Sequence, residues 1–182
     1  MVVTIATTNR DKATLLAACL PGVEIRHVAL ALVEPQAESV HAVARAKAEQ
    51  AFARVGGPVV VEDSGLVVAS LGGFPGPYTK YALATIGAAG LVALAGGAPG
   101  RYTSAVAVAR ADGSVEVGDH AIDGSLATAV GGDCDGSWSD LWRVFVPAGE
   151  RVPVSQLTAA ARAGQLAALR DRLARWLAGV LR

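Results

Sequence analysis

Residues 59–65 read Val59-Val60-Val61-Glu62-Asp63-Ser64-Gly65, a β-branched run that leads into two acids and a glycine. Three consecutive valines predict a short buried strand, and the polar residues after them predict its end. In open α/β sheets, ligands bind beyond the carboxyl ends of the strands, where this pair of acids is expected. Because neighbouring side chains on a strand point to opposite faces, only one of the two acids should face a given cleft.

Strands and helices alternate on both sides of this segment. Strands are predicted over 2–6, 23–32, 59–61 and 144–147, a further apolar segment over 66–71, and a hairpin over 102–110 and 115–122. Helices are predicted over about 12–20, 38–55 (capped by Ser39), 78–95 (with a break near Gly87) and 155–181. This order predicts an α/β fold with a mixed sheet, in a single domain spanning residues 1–182.

The composition narrows the classes of partner. Half of the 182 residues are hydrophobic (52%), which is enough for a full core. Lys+Arg and Asp+Glu number 16 each, which argues against bulk electrostatic binding to nucleic acid but leaves a local basic cleft open. No apolar run has the ~18 residues of a membrane span, and the N-terminal residues lack the basic stretch followed by an apolar run that is typical of a signal peptide. We therefore expect no membrane or nucleic-acid partner and a cytoplasmic location.

A polar loop joins the first strand to the first helix. It reads Thr7-Thr8-Asn9-Arg10-Asp11-Lys12 and contains good helix-capping residues. A helix N-terminus offers N–H groups to an anion, Thr7 and Asn9 offer polar side chains, and Lys12 adds positive charge. The loop is a candidate phosphate site, while the alternative is that Lys12 is a solvated surface lysine.

Lys47 lies on the apolar face of the helix predicted over 38–55. It follows Val40 by seven residues and Val43 by four, so that all three share one stripe. A lysine that faces inward needs an anionic partner, either a phosphate or a carboxylate. The alternative is a lysine whose stem is buried and whose amine reaches water.

Acidic residues supply the third candidate group. Glu34 and Glu38 precede the Lys47 helix and could converge with Asp63. Carboxylate oxygens suit Mg²⁺, which takes one or two of them together with substrate phosphate. For any single acid, the alternative is a helix cap or a surface charge.

Four segments together resemble the inosine triphosphate pyrophosphatase (Ham1-like) family. The opening loop is similar to the family's Thr-Gly-Asn-x-x-Lys motif, and residues 61–66 are similar to its most diagnostic motif. Residues 32–38 with 46–48, and 71–80 (Leu-Gly-Gly-Phe-Pro-Gly-Pro-Tyr-Thr-Lys), complete the match in order and spacing. The resemblance covers roughly the first half of the chain.

The resemblance implies a fold, a reaction and roles for residues. The family has an elongated mixed sheet with flanking helices, in two lobes around a central cleft, and is usually homodimeric. It uses Mg²⁺ to hydrolyse non-standard purine triphosphates, such as ITP and XTP, to the monophosphate and pyrophosphate. Carried over by position, Glu34 and Asp63 would hold the metal and, with Lys47, carry catalysis. The implied phosphate ligands are Thr7, Thr8, Asn9, Lys12 and Lys47.

The second half departs from the family pattern. The family's base-stacking loop, Gly-Phe-Gly-Trp/Tyr-Asp-Pro, corresponds here to residues 136–142, in which Trp138 and Asp140 are the candidate base-binding residues. The family's Ser-His-Arg near the C-terminus aligns with Ala-Arg-Ala, which leaves Arg162 as a candidate donor. These changes predict an altered base specificity, because lost hydrogen-bond partners weaken discrimination strongly. The alternative for Trp138 and Trp142 is packing in the core or in a dimer.

Two other classes of function compete with this enzyme. One is a nucleotide-binding or regulatory protein that kept the fold without catalysis. The other is a dimerisation scaffold built on the apolar C-terminal helix, which leaves the four matched segments unexplained.

Overall fold

The computed structural model describes residues 2–133 and 139–182. Over these ranges its strands are β1 (Val2–Ala6), β2 (Glu24–Val28), β3 (Val59–Val68), β4 (Pro75–Gly76), β5 (Pro99–Ala109), β6 (Val115–Leu126) and β7 (Phe145–Pro147). Its α-helices are α1 (Arg10–Ala18), α2 (Val40–Val55), α3 (Thr79–Thr85), α4 (Gly87–Ala95) and α5 (Ala159–Val180). Short 3-10 helices lie at Ala69–Leu71, Asp140–Arg143 and Val154–Gln156.

The strands form one mixed sheet in the order β2-β1-β3-β5-β6-β7, with β4 paired to β3. β1 runs parallel to both β2 and β3, whereas β4 pairs antiparallel with β3 and β7 antiparallel with β6. The predicted α/β class with a mixed sheet is therefore confirmed.

The chain divides into two compact units. Unit 1 contains Met1–Asp63, Ser104–His120 and Leu166–Arg182, and unit 2 contains Ser64–Thr103 and Ala121–Gln165. Every residue predicted to hold phosphate or metal belongs to unit 1.

Unit 1 is built on small side chains and capped helices. Asn9 caps α1 and Ser39 caps α2, each through its side-chain oxygen. Because the buried face of α2 is largely alanine, the helix packs closely on the strands beneath it. This core contains Ala6, Val40, Ala44, Ala48, Ala51, Val59, Val61, Ala105, Ala107 and Ala109. The amphipathic C-terminal helix is also confirmed, with Leu169, Leu173 and Leu177 buried.

Unit 2 has a core with aromatic side chains. The rings of Tyr102 and Trp142 lie 5.1 Å apart between centroids, and Phe145 lies 6.4 Å from Tyr102. Trp142 therefore packs in the core, which is one of the two packing roles expected for it from the sequence, the other being a dimer contact. The break predicted near Gly87 separates α3 from α4 and is confirmed.

The predicted end of the strand after Val61 is wrong. β3 continues without interruption to Val68, so Glu62 and Asp63 lie within the strand rather than beyond it. Gly65 explains the continuity, because a Cβ atom there would lie 2.1 Å from the Gly76 carbonyl oxygen. The missing side chain lets β4 approach β3 and pair with it, and the glycine marks this approach instead of a turn.

None of the described helices combines the length and the apolar character that a bilayer span requires.

Candidate functional site

The loop before α1 is organised by its own side chains. Asn9 Oδ1 accepts hydrogen bonds from the Asp11 N–H at 2.9 Å and the Lys12 N–H at 3.1 Å. The Asn9 N–H in turn donates to Thr7 Oγ1 at 3.1 Å. These contacts fix the start of α1 and place Lys12 in its first turn. Thr8 is exposed beside them.

Lys12 forms an ion pair with the carboxylate of Glu62. Both side chains are largely buried, with 16% of Lys12 and 8% of Glu62 exposed. The other carboxylate oxygen, Glu62 Oε1, accepts a hydrogen bond from Ser104 Oγ at 2.7 Å. The Lys12 side chain thus lies inside the unit rather than on a solvated surface.

Lys47 meets three acceptors at its ammonium group. Its Nζ donates to Asp63 Oδ1 at 3.0 Å, to Glu34 Oε1 at 3.2 Å and to the Glu62 carbonyl oxygen at 3.3 Å. Only 12% of the Lys47 side chain is exposed, so the ammonium is held by protein groups instead of reaching into water. The expectation that an inward lysine on α2 has an anionic partner is confirmed.

Burial and neighbouring charges have opposite effects on the pKa values of Lys47 and Asp63. Burial disfavours the Lys47 ammonium, but Asp63 and Glu34 outweigh that effect and raise the pKa of Lys47. Burial also raises the pKa of Asp63, even though Lys47 and Lys12 pull it down. Lys47 therefore stays a cation, and Asp63 is a stronger base than an exposed aspartate.

The predicted alternation on β3 holds for the two acids. Glu62 turns its side chain towards Lys12 and Ser104, whereas Asp63 turns towards Lys47. The Glu62 carbonyl oxygen also reaches Lys47. Both lysines thus contact the Glu62-Asp63 dipeptide, Lys12 on one face of β3 and Lys47 on the other.

The oxygen donors of the site fit a divalent cation of the Mg²⁺ type. Across the described residues, no cluster of three or more His, Cys, Asp or Glu side chains is placed to hold a metal. Mg²⁺ does not need one, because one or two carboxylates with water and phosphate oxygens complete its shell. Glu34 and Asp63 supply two carboxylates that already share a single cation, the Lys47 ammonium.

Three further candidates fall within the described residues, one in unit 1 and two in unit 2. Glu38 is exposed, and the three acceptors at the Lys47 ammonium do not include it. Asp140 and Arg162 belong to unit 2, where Asp140 is 63% exposed and lies 3.5 Å from an Arg143 nitrogen. Trp138 lies outside the described residues.

Two residues that contact the site's charged groups, Ser104 and Glu62, receive no role from the sequence patterns. Ser104 is a buried hydroxyl at the start of the apolar stretch of β5, and the local sequence does not identify its partner. Glu62 falls outside the metal and phosphate roles assigned from the sequence, although it contacts both lysines.

A family model for the Ham1 family matches residues 3–164. The chain belongs to the Ham1 family. Its relatives include the dITP/XTP pyrophosphatase of Hyperthermus butylicus, 37% identical over 155 residues that cover 81% of this chain and 78% of the relative. The inosine triphosphate pyrophosphatase 2 of Trypanosoma cruzi is 41% identical over 107 residues, which cover 58% of this chain and 55% of that protein.

Solved Ham1 structures share the fold. The nucleoside-triphosphatase (dITP/XTP pyrophosphatase) of Mycobacterium abscessus superposes with a TM-score of 0.78 at 24% identity, covering 97% of this chain and 99% of that one. The Ham1 protein of Staphylococcus aureus gives a TM-score of 0.75 at 18% identity, covering 98% and 99%. At this identity the likeness shows the fold alone.

Proposed function

We propose that this Ham1-family chain hydrolyses a nucleoside triphosphate to the monophosphate and pyrophosphate with Mg²⁺. The observation that carries the proposal is the Lys47 ammonium held by Glu34 and Asp63, with the Lys12–Glu62 pair on the opposite face of β3. Membership of a family whose curated relatives are named dITP/XTP pyrophosphatases supports it.

The lysines would bind the polyphosphate. Lys12 stands in the first turn of α1, and Lys47 projects from α2 onto β3. Two ammonium groups fixed by buried acids need little rearrangement to face a phosphate, and both can stabilise charge that develops on the leaving pyrophosphate. Thr7, Thr8 and Asn9 would add polar contacts from the loop.

Glu34 and Asp63 would hold the metal, which supplies charge neutralisation and polarisation of the phosphoryl oxygens when bound. Asp63 also has a role of its own. Its carboxylate, which Lys47 holds in place, would orient the attacking water and accept its proton.

We also propose that base specificity differs from that of the named relatives. The residues available for reading the base are Trp138, Asp140 and Arg162, in place of the family's stacking and Ser-His-Arg motifs. Arg162 offers donors only, so it favours a base edge that presents acceptors. We infer in addition that the protein is cytoplasmic and works as a homodimer.

The test is a pyrophosphate-release screen over many nucleoside triphosphates, with Mg²⁺ and with a chelator. The expected result is metal-dependent release of pyrophosphate. Asp63→Asn should slow this release about a thousandfold. Asp171→Asn, at an exposed acid on α5, is the matched control and should keep full activity. Binding of a nucleotide without release of pyrophosphate would show that the protein binds nucleotides and does not hydrolyse them. A preference for ITP and XTP by orders of magnitude would end the proposal of altered specificity.

A further inference from the structure

Glu62 is a buried carboxylate with two different partners. Ser104 Oγ, from β5, donates to Oε1 at 2.7 Å, and Lys12, from α1, pairs with Oε2. Ser104 is 4% exposed and the Glu62 residue 8% exposed. The contacts join three elements of unit 1 at one carboxylate.

The two partners have different consequences when a ligand binds. A buried carboxylate that loses its cation is costly unless hydrogen bonds remain. If the Lys12 ammonium turns to a phosphate oxygen, Glu62 keeps only the contacts that do not move. Ser104 lies within a strand, so its hydrogen bond can stay in place while Lys12 changes partner.

We propose that Ser104 is a positioning residue for polyphosphate binding, because its hydrogen bond to Glu62 Oε1 lets Lys12 transfer from Glu62 to a phosphate. The inference rests on the proposed function, since it assumes that Lys12 binds phosphate. Ser104 itself touches neither phosphate nor metal in this role. Without its hydroxyl, release of Lys12 would leave Glu62 poorly solvated in the interior, and phosphate binding would weaken.

A purely structural serine would behave differently. In that case, loss of the hydroxyl would lower the stability of the protein and leave its affinity for phosphate unchanged. The affinity for phosphate and its dependence on Lys12 therefore separate the two roles.

The experiment measures the dissociation constant of inorganic pyrophosphate by calorimetry at fixed Mg²⁺, with folding checked by thermal unfolding. The variants are Ser104→Ala and, as matched control, Thr103→Val, which removes the neighbouring hydroxyl on the same strand. Thr103 donates to the Gly65 carbonyl oxygen and not to Glu62. Lys12→Met and the double variant with Ser104→Ala complete a cycle.

Ser104→Ala should weaken pyrophosphate binding about tenfold, and Thr103→Val by less than about twofold. In the Lys12→Met background, Ser104→Ala should have no further effect, because the lysine that must be released is gone. If Ser104→Ala does not fold, Ser104→Cys takes its place, since a thiol of similar size is a weaker donor and should give a smaller loss.

Equal pyrophosphate affinity in Ser104→Ala and the wild type would overturn the inference and leave the proposed function intact. An equal loss with and without Lys12 would overturn it as well. If the wild type itself binds no pyrophosphate, the inference fails, because Lys12 then has no phosphate to turn to. The proposed hydrolysis is tested separately, by pyrophosphate release.

Discussion

Lys47 Nζ lies 3.0 Å from Asp63 Oδ1, and the same ammonium lies 3.2 Å from Glu34 Oε1. A cation of the protein itself thus joins the two acids that we propose as metal ligands. A divalent ion that takes these oxygens must compete with the ammonium, whereas a phosphate offers Lys47 a new partner. Metal and polyphosphate should therefore help each other to bind.

The first prediction follows from this competition. In nucleotide-free protein, Lys47→Met should bind Mn²⁺ about threefold or more tightly than the wild type, because the competing cation is gone. The same variant should bind pyrophosphate about tenfold more weakly, because one of two phosphate-binding cations is lost. Electron paramagnetic resonance measures the free Mn²⁺, and calorimetry measures the pyrophosphate affinity.

Arg45→Met is the control for the loss of a cation from α2. Arg45 is exposed and donates to the Val115 carbonyl oxygen. Arg45→Met should leave the affinities for Mn²⁺ and for pyrophosphate unchanged. Weaker Mn²⁺ binding in Lys47→Met would show that the lysine supports the metal instead of competing with it.

The second prediction concerns how Glu34 is held. Glu34 lies in an irregular segment, but its neighbour Val33 is clamped by Gln50 on α2. Val33 N–H donates to Gln50 Oε1 at 3.0 Å, and Gln50 Nε2 donates to the Val33 carbonyl oxygen at 2.8 Å. This paired contact fixes the backbone next to the acid.

Gln50→Ala should therefore weaken Mn²⁺ binding by about threefold to tenfold, since Glu34 must then be ordered when the metal arrives. In a Glu34→Gln background, the same change should have little effect. Glu49→Ala, at an exposed position on α2, controls for the helix itself. An undiminished affinity in Gln50→Ala would show that the irregular segment keeps its place without the clamp.

The contact between Lys47 and Asp63 was predictable from local sequence patterns. The 3.6-residue period places Lys47 on the buried face of α2, and burial then demands an acid. The partner is Asp63, which alternation on β3 turns to the opposite side from Glu62. Local patterns of this kind need no knowledge of distant contacts.

Other features depend on residues far apart in sequence. Ser64-Gly65 has the composition of a turn, yet β3 continues because the Gly76 backbone packs against Gly65. Ser104 reaches Glu62 across 42 positions of the chain, a distance that no local pattern encodes. Tertiary packing decides both cases, so the sequence marks the residues and leaves their partners open.

The third prediction tests the cap of α1. Asn9 Oδ1 accepts from two backbone N–H groups, and such a cap is worth about 1 kcal/mol. Asn9→Ala should lower the free energy of unfolding by about that amount and also weaken pyrophosphate binding, because the turn that carries Lys12 loosens. Urea unfolding and calorimetry give the two values. Ser39→Ala removes the single hydrogen bond that caps α2 and should lower stability with a smaller effect on pyrophosphate.

The last prediction uses a histidine outside the proposed site. His120 stacks edge-on against Trp176, with 6.2 Å between the ring centroids. Its Nε2 is buried and has no hydrogen-bond partner within the described residues. Burial, and then the charge of Arg172, lower the pKa of His120 below its ordinary value of 6.5.

Because the folded-state pKa is the lower one, the unfolded chain binds a proton at His120 before the folded chain does. Stability from this group is fully present above pH 6.5 and is lost as the pH falls through the lowered value. His120→Phe keeps a ring against Trp176 and removes the titration. Its free energy of unfolding in urea should therefore fall less steeply with acid than that of the wild type. Parallel curves for the two proteins below pH 6.5 would show that His120 takes up its proton equally in both states.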